Sequence, residues 1–400
     1  MRRIQIIEKA RKDALKKFAK KLYKLFGVRS ISVIEHFSDL TDPRSNQGMR
    51  HDLINIVFIA LCAVICGANS WTQIEEFGKS KEVWLKQFLK FPCGLPSEDT
   101  FRRVFAVIDP KEFQQRFSKW IQVITYVKTG AVVAIDGKTM RGGKGEGLTP
   151  KHIVSAWNDV SHLTLGQVAV KEKSNEITAI PELLQQLCIT GCIVTIDAMG
   201  CQTKIALKIR ESGADYVLAL KGNQGTLSDE VDLYFQNEIN GKKSTLKYAE
   251  TLEKGHGRIE CRKCWVSNDL KSISNKGNWK DLTSIIRIES ERIIKGKSTI
   301  EIRYYISSLN ELADRMLFII RSHWGVENSL HWILDVAFLE DECRIRKGCG
   351  PENFNVLRHI ALTLLKREKN CKRGILTKRG IAGWNEAYLE KVLMCSEIAV

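Results

Sequence analysis

The chain changes its hydrophobic rhythm along its length. Between about residues 35 and 125, apolar positions recur at helical spacing, with Leu53 to Glu76 as one segment. Its first part, LINIVFIALCAVICGA from Leu53 to Ala68, carries no charge and predicts a buried helix. Pro96-Ser97-Glu98-Asp99 puts a hydroxyl and early carboxylates where a helix N-terminus favours them, so Ser97 is expected to cap the next helix. From residue 130 the period shortens. AVVAID (131–136), HIVSAW (152–157) and LTLGQVAV (163–170) are short runs rich in strand-forming residues and bounded by polar or turn positions. Helical spacing over Ile177 to Leu187, a strand from Cys192 to Ile196, a helix around Lys204 to Glu211 and a strand from Tyr216 to Leu220 complete the order βββαβαβ.

That order predicts an α/β fold, a mixed sheet with helices on its faces, which is the layout of an RNase-H-like domain. Residues 223–304 alternate in polarity, punctuated by Gly255, Gly257 and Gly296, and read as a β-rich insertion. Helical spacing returns from Glu311 to Phe338. The expected organisation is a basic helical arm (1–34), an N-terminal helical accessory or DNA-binding domain (35–125), a core in two parts (126–222 and 305–370) split by the insertion, and a basic helical tail (371–400).

Composition narrows the partner. With 400 residues, 44% of them hydrophobic, the chain can bury a substantial core. A net charge of +16 and a pI near 9.3 favour association with polyanions, and nucleic acid is the obvious candidate. Residues 1–26 carry ten Lys/Arg against Glu8 and Asp13, with apolar residues near helical spacing; this is a DNA-contacting arm or a solvated charged helix. Leu53 to Ala68 is shorter than the roughly 20 residues needed to cross a bilayer. Twelve cysteines without a secretory leader point to reduced thiols in a cytoplasmic protein, and Cys261-x-x-Cys264 lacks a second pair for a zinc site. Gly296-Lys297-Ser298 is no phosphate loop, because the first glycine of that motif would fall on Glu291.

Two aspartates carry the candidate chemistry. Asp136 ends AVVAID and Asp197 ends the strand CIVTID, each at a strand's C-terminal edge. Taken singly, either could serve a turn or a helix cap. In the inferred topology, however, the first and fourth strands are neighbours, about 4.8 Å apart, and the two carboxylates share one site. Hard oxygen ligands so close together suit Mg²⁺ or Mn²⁺. Holding a second ion takes a third carboxylate. Glu327, Asp335, Glu340, Asp341 and Glu342 are all available in the late helical segment, and spacing alone does not choose among them. His323, Glu327 and His331 would share one helix face, which admits a zinc reading without a completing ligand.

Several stretches together resemble the H-repeat-associated group of bacterial insertion-sequence transposases, whose core is of the DDE type. They are AIDGKTMRG (134–142), TIDAMGCQ (195–202), YVLALKGNQ (216–224), GHGRIECR (255–262) and HWGVENSLHWILDVAFLEDECRIR (323–346), within a match from about Phe37 to Leu365. The resemblance implies that Asp136, Asp197 and Glu327 form the catalytic triad and hold two Mg²⁺ ions, or Mn²⁺. It implies cleavage of double-stranded DNA at element ends and strand transfer to a target, by a homodimer on DNA, since two ends must be joined together. The wider superfamily carries a Tyr, Arg, Glu, Lys pattern around the glutamate; here those places read Ile320, His323, Glu327 and Leu334, so His323 would replace the Arg only in part. Lys138, Arg141 and Lys221 near the aspartates, and His256 and Arg258 in the insertion, are candidate DNA contacts. Trp324 and Trp332 could stack on an unpaired base or pack in the core.

Overall fold

The computed structural model describes residues 36–45, 49–125, 127–143, 150–171, 174–241, 246–255 and 257–395. The expected basic arm at 1–34 lies outside them. The N-terminal helical unit is built from α1 (Leu53–Ile65), α2 (Trp71–Ser80), the short α3 (Glu82–Leu85), α4 (Glu98–Val107) and α5 (Pro110–Ile124). Every residue of α1 is buried. The segment expected to run unbroken to Glu76 ends at Gly67, whose φ of 110° an L side chain rarely adopts, and Ser70 then caps α2 by accepting from the Gln73 amide at 3.2 Å. Ser97 does cap α4, accepting from the Thr100 amide at 3.4 Å, and Asp109 followed by Pro110 starts α5.

The core holds β1 (Val132–Thr139), β2 (His152–Asn158), β3 (Thr164–Ala169), α6 (Glu176–Leu184), β4 (Ile193–Ile196), α7 (Thr203–Glu211) and β5 (Asp215–Leu220), in the expected order. Strands β1 to β3 form an antiparallel meander, while β4 and β5 add in parallel beside β1. This is the RNase-H-like arrangement. The region expected as an insertion opens with a helix, α8 (Gly225–Asn240), before β6 (Lys247–Gly255), β7 (Arg258–Ser267), β8 (Ser284–Ile294) and β9 (Lys297–Ser307). These strands extend the core sheet: β9 pairs antiparallel with β5, giving one nine-stranded sheet ordered β3-β2-β1-β4-β5-β9-β8-β7-β6.

Helix α9 (Ala313–His323) lies on one sheet face, where Val132, Ile193, Val217, Ile286 and Tyr305 pack with Met316 and Ile320. A π-helical turn, Glu327–His331, leads into α10 (Trp332–Phe338), which stops at Leu339 in left-handed conformation, φ 49°. Then α11 (Gly350–Arg367) threads back into the N-terminal helical unit against α1, α4 and α5, with Phe354, Leu357, Ala361 and Leu364 buried. The C-terminal α12 (Ile375–Trp384) and α13 (Glu386–Met394) cover that pair.

The tail is less of a free basic segment than its charge suggested. Lys378 donates to the Leu365 carbonyl at 2.9 Å and Arg379 to the Val64 carbonyl at 2.8 Å, and both are buried. Their charge satisfies the carbonyls at helix ends instead of facing solvent.

Candidate active site

Asp136 and Asp197 follow register partners. Ile135 of β1 pairs with Ile196 of β4 as their last parallel pair; Asp197 follows the end of β4, whereas Asp136, expected to end its strand, lies within β1, which runs on to Thr139 against β2. The backbone holds both carboxylates: Asp136 accepts from the Gly137 amide at 2.9 Å, and Asp197 from the Met199 and Gly200 amides at 3.1 and 3.3 Å. Burial pushes the Asp136 carboxyl up to about 7, against the pull of the Gly137 amide, and the carboxylates of Glu176, Asp197 and Glu327 push the same way. Asp197 is raised by burial and by Glu176. Negative charge there is under-compensated by the protein itself.

Glu327 starts the π-helical turn, exposed, and shares with both aspartates the lining of a cavity of about 530 Å³. Of the five carboxylates the sequence left open, it is the one in that lining. Asp335, Glu340 and Asp341 gather instead around Lys138. The three candidate carboxylates face a common space without converging on one point: among the described residues no group of three or more such side chains stands at metal-holding spacing. As a donor set they nonetheless suit a divalent ion, being hard oxygens where burial and like charge already disfavour ionisation.

No motif or spacing pointed to Glu176 and His152. Glu176, at the start of α6, lies 2.7 Å from His152 Nε2, and a side chain on Gly137 would come within 2.3 Å of its carboxylate and 2.4 Å of the imidazole. The Asp-Gly dipeptide, open to reading as a turn, is strand interior whose glycine makes room for this pair.

Helix α9 and the π turn cross the strand ends, so the three residues of the shared face meet different partners. His323 Nδ1 lies 3.0 Å from the Thr195 hydroxyl on β4, Glu327 faces the cavity, and His331 Nδ1 lies 3.5 Å from Asp136 on β1. They do not close around a zinc ion. Burial lowers His323 to about 4, leaving it neutral near pH 7, so it lines the cavity without the charge expected of an arginine substitute. The places corresponding to Tyr and Lys, Ile320 and Leu334, are core positions.

The remaining expected DNA contacts are dispersed. Lys221, just past β5, is exposed at the cavity rim and is a positive neighbour of Asp197. Lys138 is turned inward, where its ammonium meets Asp335 and, at 2.5 Å, the buried Glu340, so it is not presented to a phosphate. Arg141 is exposed beside Asp341. Arg258 sits at the far hairpin of β6 and β7, 3.2 Å from Glu260, outside the cavity lining, and His256 lies outside the described residues. Trp324 lines the cavity beneath the Arg303 guanidinium, 4.5 Å from its ring centroid. Trp332 is 60% exposed and so is not the core residue it could have been.

Comparison with known proteins identifies the family. The family described as "Transposase DDE domain" matches residues 128–364, and "DDE_Tnp_1-associated" matches residues 34–121. "Putative transposase YncI" of Escherichia coli O157:H7 is 40% identical over 92% of this chain and 96% of its own length. "H repeat-associated putative transposase YhhI" of Escherichia coli (strain K12) is 40% identical over 92% and 99%. A solved piggyBac transposase synaptic complex with hairpin DNA aligns at a TM-score of 0.42 and 10% identity, over 89% of this chain and 76% of that one, a likeness too distant to bear on fold or function. The match over most of the core and the near full-length relatives establish the identity: the chain belongs to the DDE transposase family.

Proposed function

We propose that this protein cuts double-stranded DNA at the ends of an insertion sequence and joins those ends to target DNA. The observation carrying this reading is the placement of Asp136 and Asp197 on neighbouring strands, each one residue beyond the last parallel β1–β4 pair, with Glu327 across a shared cavity. The three carboxylates would hold two Mg²⁺ ions, or Mn²⁺, with movement of the exposed Glu327 side chain closing the set. Bound there, such ions supply an activated water or 3′-hydroxyl and stabilise the departing oxygen.

The chain's own groups supply the rest. Backbone amides fix the Asp136 and Asp197 carboxylates, Lys221 offers a cation to a phosphate at the rim, and Trp324, backed by Arg303, offers a flat face to an unstacked base. His331 and the His152–Glu176 pair restrain the two flanks of Asp136. Processing two ends in one reaction calls for a homodimer assembled on DNA.

The test uses labelled DNA carrying the ends that flank the gene, with Mg²⁺ or Mn²⁺, then with EDTA, beside Asp197→Ala. Metal-dependent cleavage lost in the variant is the expected result. Binding without cleavage, unchanged by the substitution, would leave a DNA-binding protein on a transposase fold. Cleavage with no joined product would leave a nuclease.

A further inference from the structure

Part of the positive charge of this protein is neutralised from within. At the far end of the sheet, Arg258, Arg262 and Arg292 all gather on Glu260, and Arg321 pairs with Glu253. The segment from Cys343 to Gly348 combines exposed cations with buried anchors. Cys343 and Ile345 are buried while Arg344, Arg346 and Lys347 are exposed, and none of these three forms an ion pair among the described residues. The acids that precede them are Asp341, shared between Lys138 and Arg141, and the exposed Glu342.

This segment is held firmly at both ends. At one, the Arg141–Gly143 turn lies against it so closely that a side chain on Gly142 would meet the Cys343 carbonyl at 2.2 Å, and Arg346 reaches the Gly142 carbonyl at 3.4 Å. That turn directly follows β1, which carries Asp136. At the other end, the Cys349 amide donates to the Ala106 carbonyl on α4 at 3.0 Å. There Lys347 joins Arg44 and Arg103 around a cavity of about 360 Å³, although Arg44 is paired with Asp42 and Arg103 with Asp99.

We propose that Arg344, Arg346 and Lys347, continued by Arg141, form a rail for the phosphate backbone of the duplex leading from the acidic cavity towards the N-terminal helical unit. The inference rests on the DNA-processing reading above and assigns part of its substrate surface. From Arg344 to Lys347 three residue steps span at most roughly 10 Å at about 3.3 Å per residue, close to three base-pair rises of about 3.4 Å. Guanidinium and ammonium groups on a fixed backbone match phosphate oxygens without reading sequence.

The test compares wild type, the triple variant Arg344→Gln/Arg346→Gln/Lys347→Gln, the single variant Arg344→Gln and a control, Lys79→Gln/Lys86→Gln. Binding to a plain duplex and to one carrying the flanking ends is titrated across salt concentrations, with thermal melts to show that each protein is folded. Each phosphate contact contributes about 0.9 to the log–log salt slope. The expected result is a slope lower by about 2 to 3 in the triple variant and by up to about 1 in the single variant, on both duplexes, with the control unchanged. An unchanged slope in folded triple and single variants, with wild-type DNA binding intact, overturns the rail and leaves the transposase reading standing. An equal loss in the control also overturns it, as unlocalised attraction. Failure of the wild type to bind either duplex overturns both.

Discussion

At the residue scale, Gly137 shows how tightly the site is built. Its missing side chain is the space taken by Glu176 and His152. Gly137→Ala must push that pair away from β1, and overpacking of this kind costs about 1–3 kcal/mol, read as a lower denaturant midpoint. DNA cleavage should fall further than stability alone explains, because Asp136 is the preceding residue. A wild-type midpoint would show that the pair simply moves aside.

Titration gives a second prediction at this scale. Burial lowers His359 to about 3 and His323 and His331 to about 4, while in the unfolded chain each returns to about 6.5. Between those values the unfolded chain binds protons that the native one does not. Stability is therefore present above about pH 6.5 and lost as pH falls through the native values. Asp136, raised to about 7, and Asp197 and Asp335, raised by burial, work in the opposite sense without bound metal, while His51 and His162 are lowered by burial and work with the three imidazoles. The unfolding midpoint should drop between pH 6.5 and 4, and less steeply in His359→Gln. A flat profile over that range would contradict the buried neutral imidazoles.

Elements were legible where period and capping agree. Short apolar runs ending in Asp136 and Asp197 located β1 and β4, and Ser97 marked the start of α4. Removing that cap with Ser97→Ala should cost about 0.5–2 kcal/mol in chemical denaturation, and no measurable change would mean that packing of Phe101 and Phe105 alone fixes the helix. The π turn left no trace in spacing, since residues that share one α-helical face say nothing of an extra residue in the turn. Nor could the sequence tell that β6 to β9 prolong the core sheet: alternation gives a strand's faces, while its neighbour is decided by long-range pairing such as Leu220 with Tyr304. Lys138 misled for a related reason, because the three carboxylates that draw it inward lie about 200 residues away in the chain.

Across the whole molecule, α11 joins parts that the sequence separates. It follows the core in order yet fills the N-terminal helical unit, and Arg379 from α12 reaches the carbonyls of Val64 and Ala337 beside it. A chain ending after Cys349 should lose the protection of α1 from hydrogen exchange, not merely the tail; retained protection would show that the helical unit folds alone. Arg379→Ala leaves the Ala337 carbonyl without its guanidinium donor and the Val64 carbonyl with the Gly67 amide alone, at 3.3 Å; an unsatisfied buried carbonyl costs about 1–3 kcal/mol, so the melting temperature should fall.

The central claim is that Asp136, Asp197 and Glu327 act as one site that breaks and rejoins DNA. The most direct measurement supplies pre-cut ends bearing free 3′-hydroxyls, a supercoiled target and Mg²⁺, and compares joined product from wild type with that from Asp136→Asn, Asp197→Asn and Glu327→Gln. Joining by wild type, lost alike in all three variants while end binding persists, is the predicted result. Joining that survives any one substitution, or ends bound by wild type and never joined, would contradict the account.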